Sequence, residues 1–374
     1  MKLLMISGDR SLALGKRGAF YNTLEEFSKY WDRIDIVCPR VVSYQLPATS
    51  YQPFGNVFVH PSPWPLWRQL EWILKKGKEL YAEHNFNLMT VHEYAPFYNG
   101  IGARLLHNKI KVPYVLEIHH VPGYPKAAGP KERIYRWATE QFIKHDALKV
   151  KAVRVVNKKQ VPNFLIHAGV PEEKIKYIPS LYIDLDVFKP IPDVEKKYDV
   201  IFAGRLEENK NVDLLLRAVK LLVEKHHTNA GCLIIGEGPE KEYLKLRSVS
   251  QNIKVDFAGW LPTLKDVAMA YNSAKIFVNP SLNEGGPRVV VEAMACGLPV
   301  ITTRVGITED IIEDGSNGFI VDWSPDDIAE KVKQLLESDS LRNDVSKKAI
   351  ETSRRFEKGS AIKNYADNLK SLIE

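Results

Sequence analysis

The chain has 374 residues, 45% hydrophobic and 26% charged, an ordinary folded-protein balance with enough material for two cores of common size. Its formal charge of +6 suits an anionic small ligand or an anionic membrane surface and is too weak an excess to point to nucleic acid. Three cysteines, Cys38, Cys232 and Cys296, stand far apart without CxxC or Cys/His pairing, so neither a disulfide framework nor a zinc site is indicated and a reducing, cytoplasmic setting fits.

In chain order, the opening "KLLMISG" reads as a strand and "AFYNTLEEFSKYW" as an amphipathic helix, followed by strands "RIDIVCP", "NFNLMTVHE" and "VPYVLEIHH". The apolar run at the N-terminus is too short for a secretory signal, and nothing approaches the roughly 18 apolar residues of a membrane span. The expectation is a protein neither exported nor membrane-spanning. Strands alternating with helices predict a parallel sheet covered on both faces. The proline- and charge-bearing "FKPIPDVEKKYD" (188–199) reads as a linker. A second alternation follows: strand "DVIFAGR", helix "NVDLLLRAVKLLVEKH", strand "GCLIIGEG", helix "PEKEYLKLRSVS", strand "IKVDFAGW", helix "LKDVAMAYNSA", strand "KIFVNPS", helix "PRVVVEAMACG" and strand "PVITT". The expected fold class is α/β, with two doubly wound Rossmann-like domains. Ligands of such sheets sit beyond the strand carboxyl ends, and an interdomain cleft is the expected site. The last segment, from "DSLRND" to the end, reads as helical with a break at Gly359.

Three stretches carry chemistry. In "FAGRLEENKNVDLLL", Gly204 follows a strand, and Arg205 and Lys210 place two cations in the loop entering a helix. That arrangement suits a diphosphate, although Glu207 and Glu208 could simply neutralise the pair. In "LIIGEGPEKEYL", Gly236 and Gly238 lack a third glycine; a tight turn is the better reading than a dinucleotide site. In "NEGGPRVVVEAMACG", Glu284 follows a strand, Gly285 and Gly286 permit close backbone approach, and Pro287 suits the first position of a helix whose N-terminus attracts anions. Glu284 and Glu292 are eight residues apart, roughly 12 Å along a helix. They can touch two parts of one long ligand, which excludes the paired carboxylates of a glycosidase. Carboxylates are natural acceptors for sugar hydroxyls, and a nucleotide sugar carries hydroxyls at both ends with phosphate between them.

These stretches, with "VDFAGWL", "YNSAKIFVNPSLNEGGPRVVVEAMACGLPVITT" and "EDGSNGFIVD", resemble the C-terminal domain of family 4 retaining glycosyltransferases of GT-B architecture (glycosyl transferase group 1). The resemblance continues more weakly through "NLMTVHEYAPFYNG", "VPYVLEIHH" and "EKIKYIPSLYIDLDVFKP". It implies that Arg205 and Lys210 bind the donor diphosphate, that Glu284 and the backbone after it hold the transferred sugar, and that Glu292 holds the ribose. Trp260 and Leu261, after Gly259, fall where the family places the base, and His119 where it places a histidine near the sugar. Gly18, or else Gly15, takes the place of the glycine beneath the diphosphate. Glu117 and His120 flank His119 and could share its role. Ser180 and Leu181 stand where the family has Asn-Gly, so that turn should differ.

The implied layout is an acceptor-side domain at 1–188, a nucleotide-sugar domain at 189–352, and a helix at 353–374 crossing back to the first domain. The implied activity is metal-independent, anomer-retaining transfer from a nucleotide diphosphate sugar, UDP-linked first, to a glycan or lipid-linked acceptor, with no cofactor. Rival functions are a nucleotide-sugar epimerase of the same architecture and a non-catalytic sugar-nucleotide-binding subunit. "DLD" at 184–186 imitates a metal-binding DxD, but no ligand cluster supports it. Ser7 lacks a nucleophile-elbow context and any histidine placed as its base. In residues 61–84, Trp64, Trp67 and Trp72 interleave with Lys75, Lys76 and Lys78; the segment reads either as a packed helix or as a basic-aromatic face for the anionic inner side of a membrane.

Overall fold

The computed structural model describes residues 1–40, 50–94, 96–147, 149–226 and 230–373. Two compact units emerge: Met1–His119 with Ile134–Ser180 and Gly359–Glu374, and His120–Arg133 with Leu181–Lys358.

The first unit is built on strands β1 (Lys2–Ile6), β2 (Arg33–Cys38), β3 (Tyr51–Phe54), β4 (Val57–Pro61), β5 (Leu88–His92), β6 (Tyr114–Ile118), β7 (Ala152–Val155) and β8 (Ile175–Tyr177). They lie in the order β3-β4-β2-β1-β5-β6-β7-β8, parallel except for β3 against β4. The central strands are near-continuous apolar runs because helices cover both faces. The order reverses at β1, so the sheet's switch point lies between β1 and β5.

One row of this sheet breaks the apolar rule. His92 of β5 pairs in register with Glu117 of β6, and Glu117 with Arg154 of β7. Arg154 and Glu117 are fully buried, with Arg154 Nη1 donating to Glu117 Oε2 at 2.9 Å. Arg154 Nε also donates to the Ile178 carbonyl at 2.8 Å. Burial alone raises the Glu117 carboxyl, but Arg154 and His92 outweigh it and hold the group well below the usual carboxylate range.

The second unit is a sheet of β9 (Tyr198–Ala203), β10 (Cys232–Ile235), β11 (Val255–Gly259), β12 (Ala274–Asn279), β13 (Val300–Thr303) and β14 (Phe319–Val321). The order is β11-β10-β9-β12-β13-β14. The segment expected as a linker is strapped to this unit at Asn272, whose carbonyl accepts from Lys196 Nζ at 2.7 Å. Asn272 accepts from the Ile191 N–H at 2.8 Å and donates to the Lys189 carbonyl at 3.0 Å, and Phe188 is buried.

The C-terminal helical run breaks at Glu357, not at Gly359. Phe356 is buried, its carbonyl accepts from the Ile183 N–H at 2.7 Å, and Glu357 turns to ψ 135. Gly359 lies inside the final helix, Lys358–Lys370, whose Ile362, Tyr365, Ala366 and Leu369 form a buried stripe at the 3.6-residue period. From this helix Tyr365 donates to Glu117 Oε1 at 3.0 Å and stacks on Phe27 at 4.7 Å between centroids.

Removing one partner of a buried ion pair leaves an uncompensated charge. Arg154→Ala should therefore cost about 3–5 kcal/mol in urea unfolding, and the Glu117→Gln/Arg154→Met double variant should recover most of that loss. A single-variant cost near zero would contradict the pairing.

Candidate active site

In the second unit the chemistry-bearing loops follow β9, β10, β11 and β12, all at strand carboxyl ends. The first two loops touch through backbone. A Cβ on Gly236 would lie 1.9 Å from the Gly204 carbonyl oxygen, and one on Gly238 would lie 2.2 Å from that of Leu206. Both glycines are required by this close approach, in keeping with a tight-turn role.

A cavity of about 320 Å³ opens beside them, and its lining includes Gly204, Arg205, Trp260, Leu261, Tyr271 and Glu292. Sequence-predicted residues from three separate stretches thus meet at one site. Trp260 is 75% exposed and stands at the rim. Glu292 is buried on the helix Arg288–Ala295, where it accepts from the Tyr271 hydroxyl at 3.2 Å. Burial raises its pKa above the ordinary carboxylate value, with Arg288 opposing. Pro287 precedes the first helical residue in extended conformation, with ψ 97, one position earlier than expected. Pro287 is thus the N-cap, its carbonyl accepting from the Val290 N–H at 3.1 Å.

Lys210 and Glu284 form a tight, largely buried ion pair, and Ser281 Oγ donates to Glu284 Oε1 at 2.9 Å. Arg205 is exposed and bonds Glu207 at 3.0 Å. Neutralisation within the loop therefore applies to Arg205, whereas Lys210 pairs across to the loop of Glu284. The two loops are also joined by the Leu282 N–H donating to the Asn209 carbonyl at 2.7 Å. Gly286 is not sterically required, since a Cβ there would meet only ordinary contacts with Leu181 and Ile307. Gly285 lies under Gly306, whose Cβ position would come within 2.2 Å of the Gly285 carbonyl oxygen.

Sequence reasoning missed Asn283. Fully buried, its Oδ1 accepts from His120 Nε2 at 2.9 Å, and its Nδ2 donates to the Lys126 carbonyl at 2.8 Å and to Glu132 at 2.9 Å. One amide thereby pins the segment His120–Arg133 next to Glu284. Burial lowers the His120 pKa, against the pull of the Asn283 bond. The only sequence signal was an asparagine preceding a candidate glutamate.

In the first unit His119 follows β6 at the rim of the polar row. Its ring is half-exposed, with the Nε2 edge turned to Arg154 Nη1 at 2.9 Å and Glu117 at 3.3 Å. Desolvation lowers its pKa below the ordinary imidazole value, against Glu117. Gly18 precedes the helix Ala19–Phe27 in extended conformation, φ −152, whereas Gly15 has φ +67, so the left-handed position is Gly15.

Ser7 does have a histidine beside it, contrary to expectation. His92 Nδ1 lies 3.1 Å from Ser7 Oγ, and His92 Nε2 lies 3.0 Å from Glu117. Spatial neighbours brought by the register from residue 92 cannot be read from local context. Ser7 is nevertheless fully buried, and its hydroxyl also accepts from the Asp9 N–H at 3.2 Å, which is a structural relay fixing the first loop.

Of the 61–84 tryptophans, Trp72 is buried and donates to the His60 carbonyl at 3.3 Å. Trp64 sits edge-on to Trp72 at 5.7 Å with Arg68 over its ring at 4.3 Å, while Trp67 is 71% exposed. Asp184 accepts from the Asp186 N–H at 3.1 Å, a local turn. Among the described residues no helix is long and apolar enough to cross a membrane.

Residues 186–352 match the family described as glycosyl transferases group 1. An uncharacterized glycosyltransferase of Methanocaldococcus jannaschii is 28% identical, over 81% of this chain and 82% of its own length. The sulfoquinovosyl transferase of Arabidopsis thaliana is 27% identical, over 79% of this chain and 59% of its own. Among solved structures, Anabaena HepE in complex with UDP and glucose aligns with TM-score 0.75 at 20% identity, covering 99% of this chain and 100% of that one. The sucrose-phosphate synthase of Thermosynechococcus elongatus aligns with TM-score 0.79 at 16% identity, covering 99% and 98%. Residues 186–352 therefore form a domain of the glycosyl transferases group 1 family, and the chain, with its two Rossmann-like sheets, shares the fold of the solved structures named above.

Proposed function

We propose that the chain transfers a sugar, with retention of anomeric configuration and without an essential metal, from a UDP-linked donor to a hydroxyl of a glycan or lipid-linked acceptor. The observation that carries this reading is the meeting of Gly204, Arg205, Trp260, Leu261 and Glu292 around one cavity, with the Lys210–Glu284 pair on an adjoining loop. The HepE structure holding UDP and glucose supports UDP-glucose as the first donor to test.

In this reading Lys210 and Arg205 neutralise charge developing on the departing diphosphate, an electrostatic contribution needing no proton transfer. Glu284 accepts from hydroxyls of the transferred sugar, and its pairing with Lys210 sets both groups in place before the donor arrives. Glu292 accepts from the ribose hydroxyls, whose donation favours its charged form. His119, half-exposed at the rim, offers its ring to hydroxyls of the sugar. The exposed Trp67 beside Arg68, with Lys75 over the neighbouring Trp64 ring, is the feature that favours an acceptor held at an anionic membrane surface.

Lys210→Ala and Arg205→Ala should each lower UDP-glucose turnover by about 100-fold or more; near-normal rates would contradict the assignment. Glu292 gives a test in which stability and function part. Its folded pKa is raised above the unfolded value, so the carboxylate destabilises the fold once pH rises above the unfolded value of about 4.3. Glu292→Gln should therefore raise Tm at pH 7, with the gain vanishing at lower pH, while weakening the thermal shift produced by UDP-glucose. A fall in Tm at pH 7 would contradict the burial argument, and an unchanged donor shift would contradict the ribose role.

A further inference from the structure

A second cavity, of about 70 Å³, lies in the first unit and is lined by Pro39, Leu66, Gln69, Tyr94, Pro96, Tyr98 and Asn99. Pro39 directly follows β2, and Tyr94 comes two residues after β5. These strands flank β1 on either side, so the cavity sits at the switch point, where doubly wound sheets bind ligands. Tyr94 packs over the end of β1: a Cβ on Gly8 would lie 1.3 Å from its hydroxyl oxygen.

Gln69 makes this cavity unusual. It is 1% exposed, and among the described residues neither its Nε2 nor its Oε1 has a hydrogen-bond partner. A buried amide left unpaired is costly, and such a group in a native fold calls for a partner that the described residues do not supply. No lining residue carries a charge, which disfavours phosphate or carboxylate ligands. An amide offers one donor face and one acceptor face, and adjacent hydroxyl groups satisfy both. About 70 Å³ is a little over two waters at roughly 30 Å³ each, room for one edge of a sugar ring. The remainder would rest on Leu66 and Tyr94, which are 41% and 46% exposed.

We propose that this cavity is a saccharide subsite taking one hydroxyl-bearing edge of a neutral polyhydroxylated ligand, with Gln69 as the residue that recognises it. Naming that ligand the acceptor rests on the reading under Proposed function; the binding itself does not.

The test is saturation-transfer NMR with D-glucose, D-mannose and D-galactose, without nucleotide, on wild type, Gln69→Leu and Tyr94→Leu. Wild type should bind at least one hexose in the millimolar range. Gln69→Leu should weaken that binding tenfold or more while Tm holds or rises, because an orphan amide is replaced by a hydrocarbon of similar size. Tyr94→Leu, altered at the exposed rim, should also weaken binding and serves if Gln69→Leu fails to fold. No hexose binding by wild type, which would mean the cavity holds water alone, overturns the proposal. So does unchanged binding in the folded variants, or displacement of the hexose by inorganic phosphate. UDP protection and UDP-glucose consumption, measured alongside, report on the donor reading separately: either can fail while the other stands.

Discussion

A carboxylate placed inside a parallel sheet must find a cation, and the first unit is organised around that requirement. Glu117 and Arg154 are register partners on adjacent strands, both without solvent contact. The carboxylate draws in further elements: its Oε2 also faces His92 from β5 and His119 at the rim, and its Oε1 accepts from Tyr365 of the last helix. His92 passes the constraint on to Ser7, and Ser7 to the backbone of Asp9. The order of the row is thus what holds the first loop, the candidate histidine and the C-terminal helix to one unit. Such pairs are weak contributors to net stability but costly to break singly, so the row specifies geometry more than it strengthens the fold.

The second unit solves a different problem, which is to keep polar loops rigid at the ends of apolar strands. Glycine backbones of two loops lie against each other, Asn283 saturates its amide on the His120–Arg133 segment, and Lys210 closes onto Glu284. Glu292 is held in a less favourable state, buried with the Tyr271 hydroxyl and the nearby Arg288 to offset part of its desolvation. A carboxylate kept at a cost to stability is common where ligands bind, and here it lines the cavity that also holds Trp260 and Leu261.

Much of this was legible in sequence because it is local or periodic. The strand-helix alternation showed four strands of the first sheet and five of the second, leaving β3, β4, β7, β8 and β14 unread, and the turns carrying Gly204, Trp260 and Glu284 were readable from glycine and strand endings. What escaped depended on register. Nothing near residue 7 announces His92, and the apolar strand "VPYVLEI" shows Glu117 without showing that Arg154 lies opposite. The misplaced helix break had the same cause, since Glu357 yields to a backbone bond from Ile183, 174 positions earlier in the chain, and not to the glycine beside it. Asn283 and Gln69 carry no motif at all; their meaning comes from burial, the one saturated and the other unpaired.

The proposed transfer with retention is read from NMR of the product formed from UDP-α-glucose and an alcohol or saccharide acceptor. An α-linked glucoside should appear, in step with UDP release and only when acceptor is present. A β-linked product, free glucose alone, or an epimerised donor without acceptor would contradict it.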